Sequence, residues 1–193
     1  MQTNTYVAAP KFVKEMIDKL IDIEGRYVND PNDSGGETKY GITKQVAVGN
    51  GYYGDMQDLP LSKARDIYAV QYYYDVKLDI LSPISKLITQ EVFDTGVNCG
   101  QRTAIKMLQR ALNGLNRSEQ DYNDIAVDGY MGIQTRNALL AFLDVRGAQR
   151  GEKLLYNLLN AIQAEYYLSL VEKREKDETF LVGWLSHRTI YKE

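Results

Sequence analysis

A chain of 193 residues with 44% hydrophobic and 25% charged residues is long enough to bury a core without staples, and its composition is that of an ordinary soluble protein. A formal net charge of −3 and the lack of any basic block exclude a surface that tracks a phosphate backbone, so nucleic acid is not expected as a partner. Cys99 is the only cysteine, which excludes an internal disulfide and a cysteine-rich zinc site.

The first ten residues lack both a basic segment and an apolar core, so no secretory signal is read there. No apolar run approaches the roughly 20 residues of a membrane helix, so membrane insertion is not expected. The protein is therefore expected to be made in the cytoplasm.

In chain order, Phe12, Val13, Met16, Ile17, Leu20 and Ile21 recur at helical spacing and predict a helix from about Pro10 to Glu24, stopped by Gly25. The stretch from Arg26 to Thr43 is rich in Asn, Asp, Pro, Ser and Gly. It reads as an irregular hairpin with a short strand around Tyr40 to Thr43. Gly49 to Gly54 reads as a loop. Leu61 to Tyr74, Ile84 to Asp94, Gln101 to Leu112 and Ile133 to Leu143 read as helices, with a polar loop from Asn113 to Tyr130. Glu152 to Lys176 reads as one long helix with Leu154, Leu155, Leu158, Leu159, Ile162, Tyr166 and Leu170 inward. A short helix follows from about Phe180. The expected fold class is α+β, mostly helical, packed as one compact domain, with a small irregular β-hairpin beside the first long helix.

The chemistry concentrates at the end of that helix. Val13, Ile17, Leu20 and Glu24 lie at i, i+4, i+7 and i+11, which puts Glu24 on the apolar face. A helix C-terminus and an apolar setting both disfavour a carboxylate. A carboxyl held protonated near neutral pH can donate to a leaving glycosidic oxygen. Nine residues on, Asp33 sits in a polar turn where it is expected to be ionised. Two carboxyls in contrasting surroundings are what glycoside hydrolysis requires. Thr38 and Thr43 are candidates to orient a water.

The run from Glu24 to Thr43, EGRYVNDPNDSGGETKYGIT, resembles the signature of glycoside hydrolase family 108, whose pattern is E-G-G-Y, then D-P, D, G-G, T and G-I-T. These are N-acetylmuramidases of phage endolysins and bacterial relatives, some labelled secretion activator proteins. The resemblance implies that Glu24 is the catalytic residue, since it matches the Glu of the pattern. The Glu-to-Asp offset is similar to that of another family of phage-type lysozymes, which points to Asp33. The second Gly of E-G-G is Arg26 here, a departure that touches the turn after Glu24.

Further along, the run Asp94-Thr95-Gly96-Val97-Asn98-Cys99-Gly100, then Ala104, Leu108-Gln109, Leu112, Val127-Asp128-Gly129, Gly132 and Thr135, resembles the predicted peptidoglycan-binding region that follows in this family. Gly183-Trp184 with Arg188 resembles its usual ending. The resemblance implies a lysozyme-like fold, with 1–93 as the muramidase region and 94–193 as the peptidoglycan-binding region. It implies peptidoglycan glycan strands as the partner and cleavage between N-acetylmuramic acid and N-acetylglucosamine. Asp30, Tyr40, Thr43, Asp94 and Asn98 are the expected substrate contacts. No metal or organic cofactor is implied. Action on the wall then calls for a pore-former such as a holin, or a secretion machine.

Other readings compete. A non-catalytic wall-binding or secretion-assisting protein on the same scaffold is the alternative, kept open by Arg26. Asp30, Asn32, Ser34 and Gly35 match half of a calcium loop, but the twelfth position is Gly41. Val92 to Gly96 resembles an aspartic protease triplet, yet it is expected to end a helix. His187 reads as structural and Cys99 as a buried thiol. Tyr52, Tyr53, Tyr72, Tyr73 and Tyr74 are candidates to stack on sugar rings or to fill core.

Overall fold

The computed structural model describes residues 5–25, 27–29 and 36–188, with the side chains of Glu24, His187 and Arg188 outside the described set. The chain packs as two compact units, Met1–Asp75 and Val76–Glu193. The architecture is mostly helical α+β with one two-stranded antiparallel sheet.

The first unit opens on α1 (Thr5–Ala8) and α2 (Lys11–Glu24). Val13, Met16, Ile17, Leu20 and Ile21 of α2 are buried, as their spacing predicts. On the polar side, the Asp18 carboxylate accepts from the Tyr6 hydroxyl at 2.7 Å and from Arg65 Nε at 2.8 Å. This ties α2 to α1 and to α4 (Leu61–Ile67). The helix does end at Gly25, but Gly25 is right-handed (φ −60°). A side chain there would bring a Cβ to 2.7 Å from the Ile21 carbonyl oxygen, so the glycine serves close approach.

Strands β1 (Thr38–Lys39) and β2 (Ile42–Thr43) pair in register Thr38 to Thr43 and Lys39 to Ile42. Tyr40 and Gly41, expected in a strand, form the turn between them with φ of 55° and 73°. Two positive φ values match the twist of a tight hairpin, and the G-I-T segment supplies the glycine for the second. The short α3 (Lys44–Gly49) follows directly, capped by Thr43. Like α1, it is too brief to show periodicity and was not expected.

Leu61 to Tyr74, expected as one helix, changes character at its middle: α4 gives way to a π-helix over Tyr68–Tyr74. The Asp75 amide reaches back five residues to the Val70 carbonyl at 2.8 Å. This wider winding lets Tyr68 and Tyr73, five residues apart, both be buried.

The second unit is built from α5 (Lys86–Cys99), α6 (Gln101–Leu115), α7 (Ile133–Arg146) and α8 (Ala148–Lys173), with α5, α6 and α7 each packed on α8. The final helix, α9 (Glu178–Arg188), docks on α8 through Trp184, whose ring lies 5.2 Å from that of Tyr167. Three expectations need correction. The α8 stripe is rotated: Leu155, Leu159, Gln163, Tyr167 and Val171 are buried, whereas Leu154 is 43% exposed. Steps of four residues make a row that winds slowly around the helix, and the polar Gln163 fits it because its Nε2 donates to the Tyr167 hydroxyl at 3.1 Å. The helix expected to end at Asp94 runs on to Cys99, so the protease-like triplet lies within a helix. Cys99, expected to be buried, is half-buried at that helix end.

Candidate active site

The hairpin is joined to the end of α2 by a short segment. Val28, four residues after Glu24, forms an antiparallel bridge with Thr38: its amide donates to the Thr38 carbonyl at 2.8 Å, and the Thr38 amide donates back at 2.9 Å. Glu24, the last residue of α2, thus stands four residues in sequence before the bridge that joins Val28 to the sheet. Arg26, Asp30 and Asp33 lie outside the described residues, as does the half calcium loop read over Asp30, Asn32, Ser34 and Gly35.

Sequence reasoning missed the carboxylate that organises the hairpin. Glu37 accepts from the Tyr27 hydroxyl at 2.8 Å and from Lys44 Nζ at 2.7 Å. The Lys44 amide also donates to the Glu37 carbonyl at 2.9 Å. The hydrogen bond from Lys44, then that from Tyr27, holds the Glu37 carboxyl below its ordinary range, and Glu37 in turn raises the Lys44 ammonium. Glu37 lay inside the motif, but nothing in the spacing marked Tyr27 and Lys44 as its partners.

Three expected site residues meet on this hairpin. Thr38 donates its hydroxyl to the Gly36 carbonyl at 3.2 Å. Tyr40 stands half-exposed at the turn, with Lys39 Nζ 5.1 Å from its ring centroid and its carbonyl bonded by the Tyr68 hydroxyl at 2.9 Å. Thr43 Oγ1 accepts from the Val46 amide at 3.3 Å, so it caps α3. Lys39 also donates to the Gln57 carbonyl, which pins the hairpin to the segment after α3. Of the tyrosines read as sugar platforms, Tyr73 is core, Tyr72 is half-buried and Tyr53 is 81% exposed.

In the second unit, Asp94 and Asn98 lie one turn apart on α5. Asn98 is exposed and its Nδ2 donates to the Asp94 carbonyl at 2.8 Å. The Asp-Gly motif at 128–129 has a structural role. Buried Gln109 donates Nε2 to Asp128 Oδ1 at 2.9 Å, to the Tyr130 carbonyl at 3.1 Å and to Thr135 Oγ1 at 3.2 Å, and it accepts from the Gly129 amide at 2.9 Å. Gly129 has φ 77°, and a Cβ there would sit 2.8 Å from the Arg102 carbonyl oxygen. One glutamine thus fastens the loop to α6 and to the start of α7, with Arg102 lying over the Tyr130 ring at 4.2 Å.

Among the described residues no helix is long and apolar enough to cross a membrane. Residues 17–100 match the family model described as Glycosyl hydrolase 108, and residues 103–189 match that described as Predicted Peptidoglycan domain. No curated protein matches the chain. Its fold is similar to the structure of SagA from Brucella abortus, with a TM-score of 0.68 and 24% identity, covering 92% of this chain and 90% of that one. At that identity the likeness speaks to fold. The two matched stretches follow one another along nearly the whole chain, and together they support a lysozyme-like, peptidoglycan-related protein whose first half is similar to the glycosyl hydrolase 108 family.

Proposed function

We propose that this protein is an N-acetylmuramidase that hydrolyses the β-1,4 bond between N-acetylmuramic acid and N-acetylglucosamine, with Glu24 as general acid. The observation that carries the reading is the register of α2. Val13, Ile17 and Leu20 are buried, and Glu24 is next in that series at the C-terminal end of the helix, where the backbone dipole disfavours an anion. A carboxyl so placed keeps its proton to a higher pH and delivers it to the leaving oxygen. Asp33, nine residues along the motif, serves as base or charge stabiliser, and Thr38 orients the water. Direct attack by that water inverts the anomeric centre. Glu37 is a positioning residue: both its oxygens are engaged in fixing the hairpin.

Asp30, Tyr40, Thr43, Asp94 and Asn98 are proposed substrate contacts. The functional division is taken as 1–93 for cleavage and 94–193 for wall binding. A holin or a secretion machine brings the protein to the wall.

The test is release of new reducing ends from purified peptidoglycan by Glu24→Gln. Loss of a general acid predicts a fall of about 10²–10⁴-fold with an unchanged circular dichroism spectrum. Wild-type rate in that variant overturns the assignment of Glu24. Wall binding by the unmodified protein without any new reducing ends identifies a non-catalytic wall-binding protein instead.

A further inference from the structure

The second unit carries a cleft of about 390 Å³ with no counterpart in the readings above. It lies where the end of α6, the end of α7 and the first turns of α8 converge. Its lining mixes guanidinium groups, Arg117, Arg146 and Arg150, with the apolar Leu115, Val145 and Leu154. Val145 and Leu154 are exposed at its edge. The volume falls in the range of small-ligand sites.

The charges there are not balanced. Asp121, whose side chain is 4% exposed, accepts from Arg117 Nε at 2.9 Å and from Arg146 Nη2 at 2.9 Å. Arg150 has no carboxylate partner among the described residues. Two of the three guanidinium groups thus share one carboxylate and the third has none, and with five N–H donors on each, several are left to meet an anion. In a chain of net charge −3, this concentration of positive charge is local.

A second observation concerns the backbone. Arg117, Ser118 and Glu119 all lie in the left-handed region, with φ of 55°, 56° and 62°. Three consecutive non-glycine residues in that region are rare and strained. Neighbours hold them there. Asn116 Oδ1 accepts from the Glu119 amide at 3.2 Å, Asn116 Nδ2 donates to Asp124 at 2.7 Å, and the Asn113 side chain bonds both backbone groups of Ile125. The strained turn sets Arg117 at the rim of the cleft. Strain of this kind, kept by its surroundings, collects at binding sites.

We propose that this cleft binds the free carboxylate of a short wall peptide: the three arginines take the carboxylate, and Leu115, Val145 and Leu154 take alanine methyl groups. The inference rests on the peptidoglycan reading of this unit and gives it a ligand, the peptide stem, distinct from the glycan strand. The guanidinium fork suits a carboxylate, and an alanine-rich stem supplies the small apolar groups that the lining calls for.

The test is calorimetric titration of the full chain with a synthetic stem pentapeptide ending in D-Ala-D-Ala, alongside the same peptide amidated at its C-terminus. The free acid is expected to bind, and the amide about tenfold more weakly or not at all. Arg150→Glu should weaken the acid by about tenfold or more at an unchanged melting temperature, and Arg150→Gln by an intermediate factor. Equal binding of acid and amide, full affinity in Arg150→Glu, or displacement of the peptide by equimolar inorganic phosphate overturns the proposal. The peptide contains no glycosidic bond, so failure here is separable from failure of the muramidase reading, which is read from reducing ends.

Discussion

The Tyr27 hydroxyl and the Glu37 carboxylate meet at 2.8 Å, linking the strand-like segment after α2 to the residue that precedes β1. With Lys44 at 2.7 Å on the other oxygen, Glu37 ties three successive pieces of chain into one hairpin. A carboxyl whose folded pKa is lowered contributes stability above its unfolded value, near 4.5, and that contribution is lost as pH falls through the lowered folded value. The Glu37 side-chain carboxyl carbon, followed by NMR, should titrate below 4.5. Lys44→Met should raise the midpoint more than Tyr27→Phe, because the Lys44 bond is the larger cause. A midpoint at or above the ordinary value in the unmodified protein would contradict the geometry.

Thr43 tests capping against substrate contact. Thr43→Ala removes the acceptor for the Val46 amide and should destabilise the first unit by about 1 kcal/mol. Thr43→Ser keeps the cap and should restore most of that loss in urea unfolding. Wall lysis that stays low in Thr43→Ser, with stability restored, would show that the methyl group or its placement also serves the substrate.

The Gln109 hub predicts strong coupling between the 128–130 loop and α6. Gln109→Ala strands the Gly129 amide and the Thr135 hydroxyl, and should cost about 1–3 kcal/mol. Gln109→Glu should be no better, since it replaces the Nε2 donor by an oxygen facing the Asp128 carboxylate. Chemical denaturation measures both, and near-wild-type stability in Gln109→Glu would remove the hub from the account.

Tyr122 offers an alkaline signature. Burial, then the Asp121 carboxylate, pushes its phenol up to about 12. A folded pKa raised above the unfolded value, near 10, stabilises the fold fully below pH 10, and the stabilisation is lost as pH rises from 10 toward 12. Ultraviolet titration of phenolate should show a late-ionising tyrosine that disappears in Tyr122→Phe. Its ionisation near pH 10 in folded protein would place the ring in solvent.

How much of this was legible beforehand depends on the range of the interaction. The apolar series of α2 and its end at Gly25 follow from spacing and local sterics, and so do the helices of the second unit and the glycine of the tight turn. Each is decided within a few residues. Other features were not legible. Leu154 faces outward and Gln163 inward, although hydrophobicity favoured the leucine, because the buried side of α8 is set by where α5, α6 and α7 pack against it. Tyr68 and Tyr73 required a π-helical winding that no periodicity announced.

What the sequence by itself determined, then, is the catalytic candidate: a glutamate at the end of an amphipathic helix, inside a long motif that runs to Thr43. What only the tertiary structure decided is which groups share a proton or a charge. Tyr27 with Glu37 and Lys44, Gln109 with Asp128 and Thr135, and Arg117 with Arg146 around Asp121 are pairings across turns and between helices. The physical reason is that a period in the sequence reports which side of one element is apolar, whereas a hydrogen bond or ion pair depends on distances that exist only after the elements have packed.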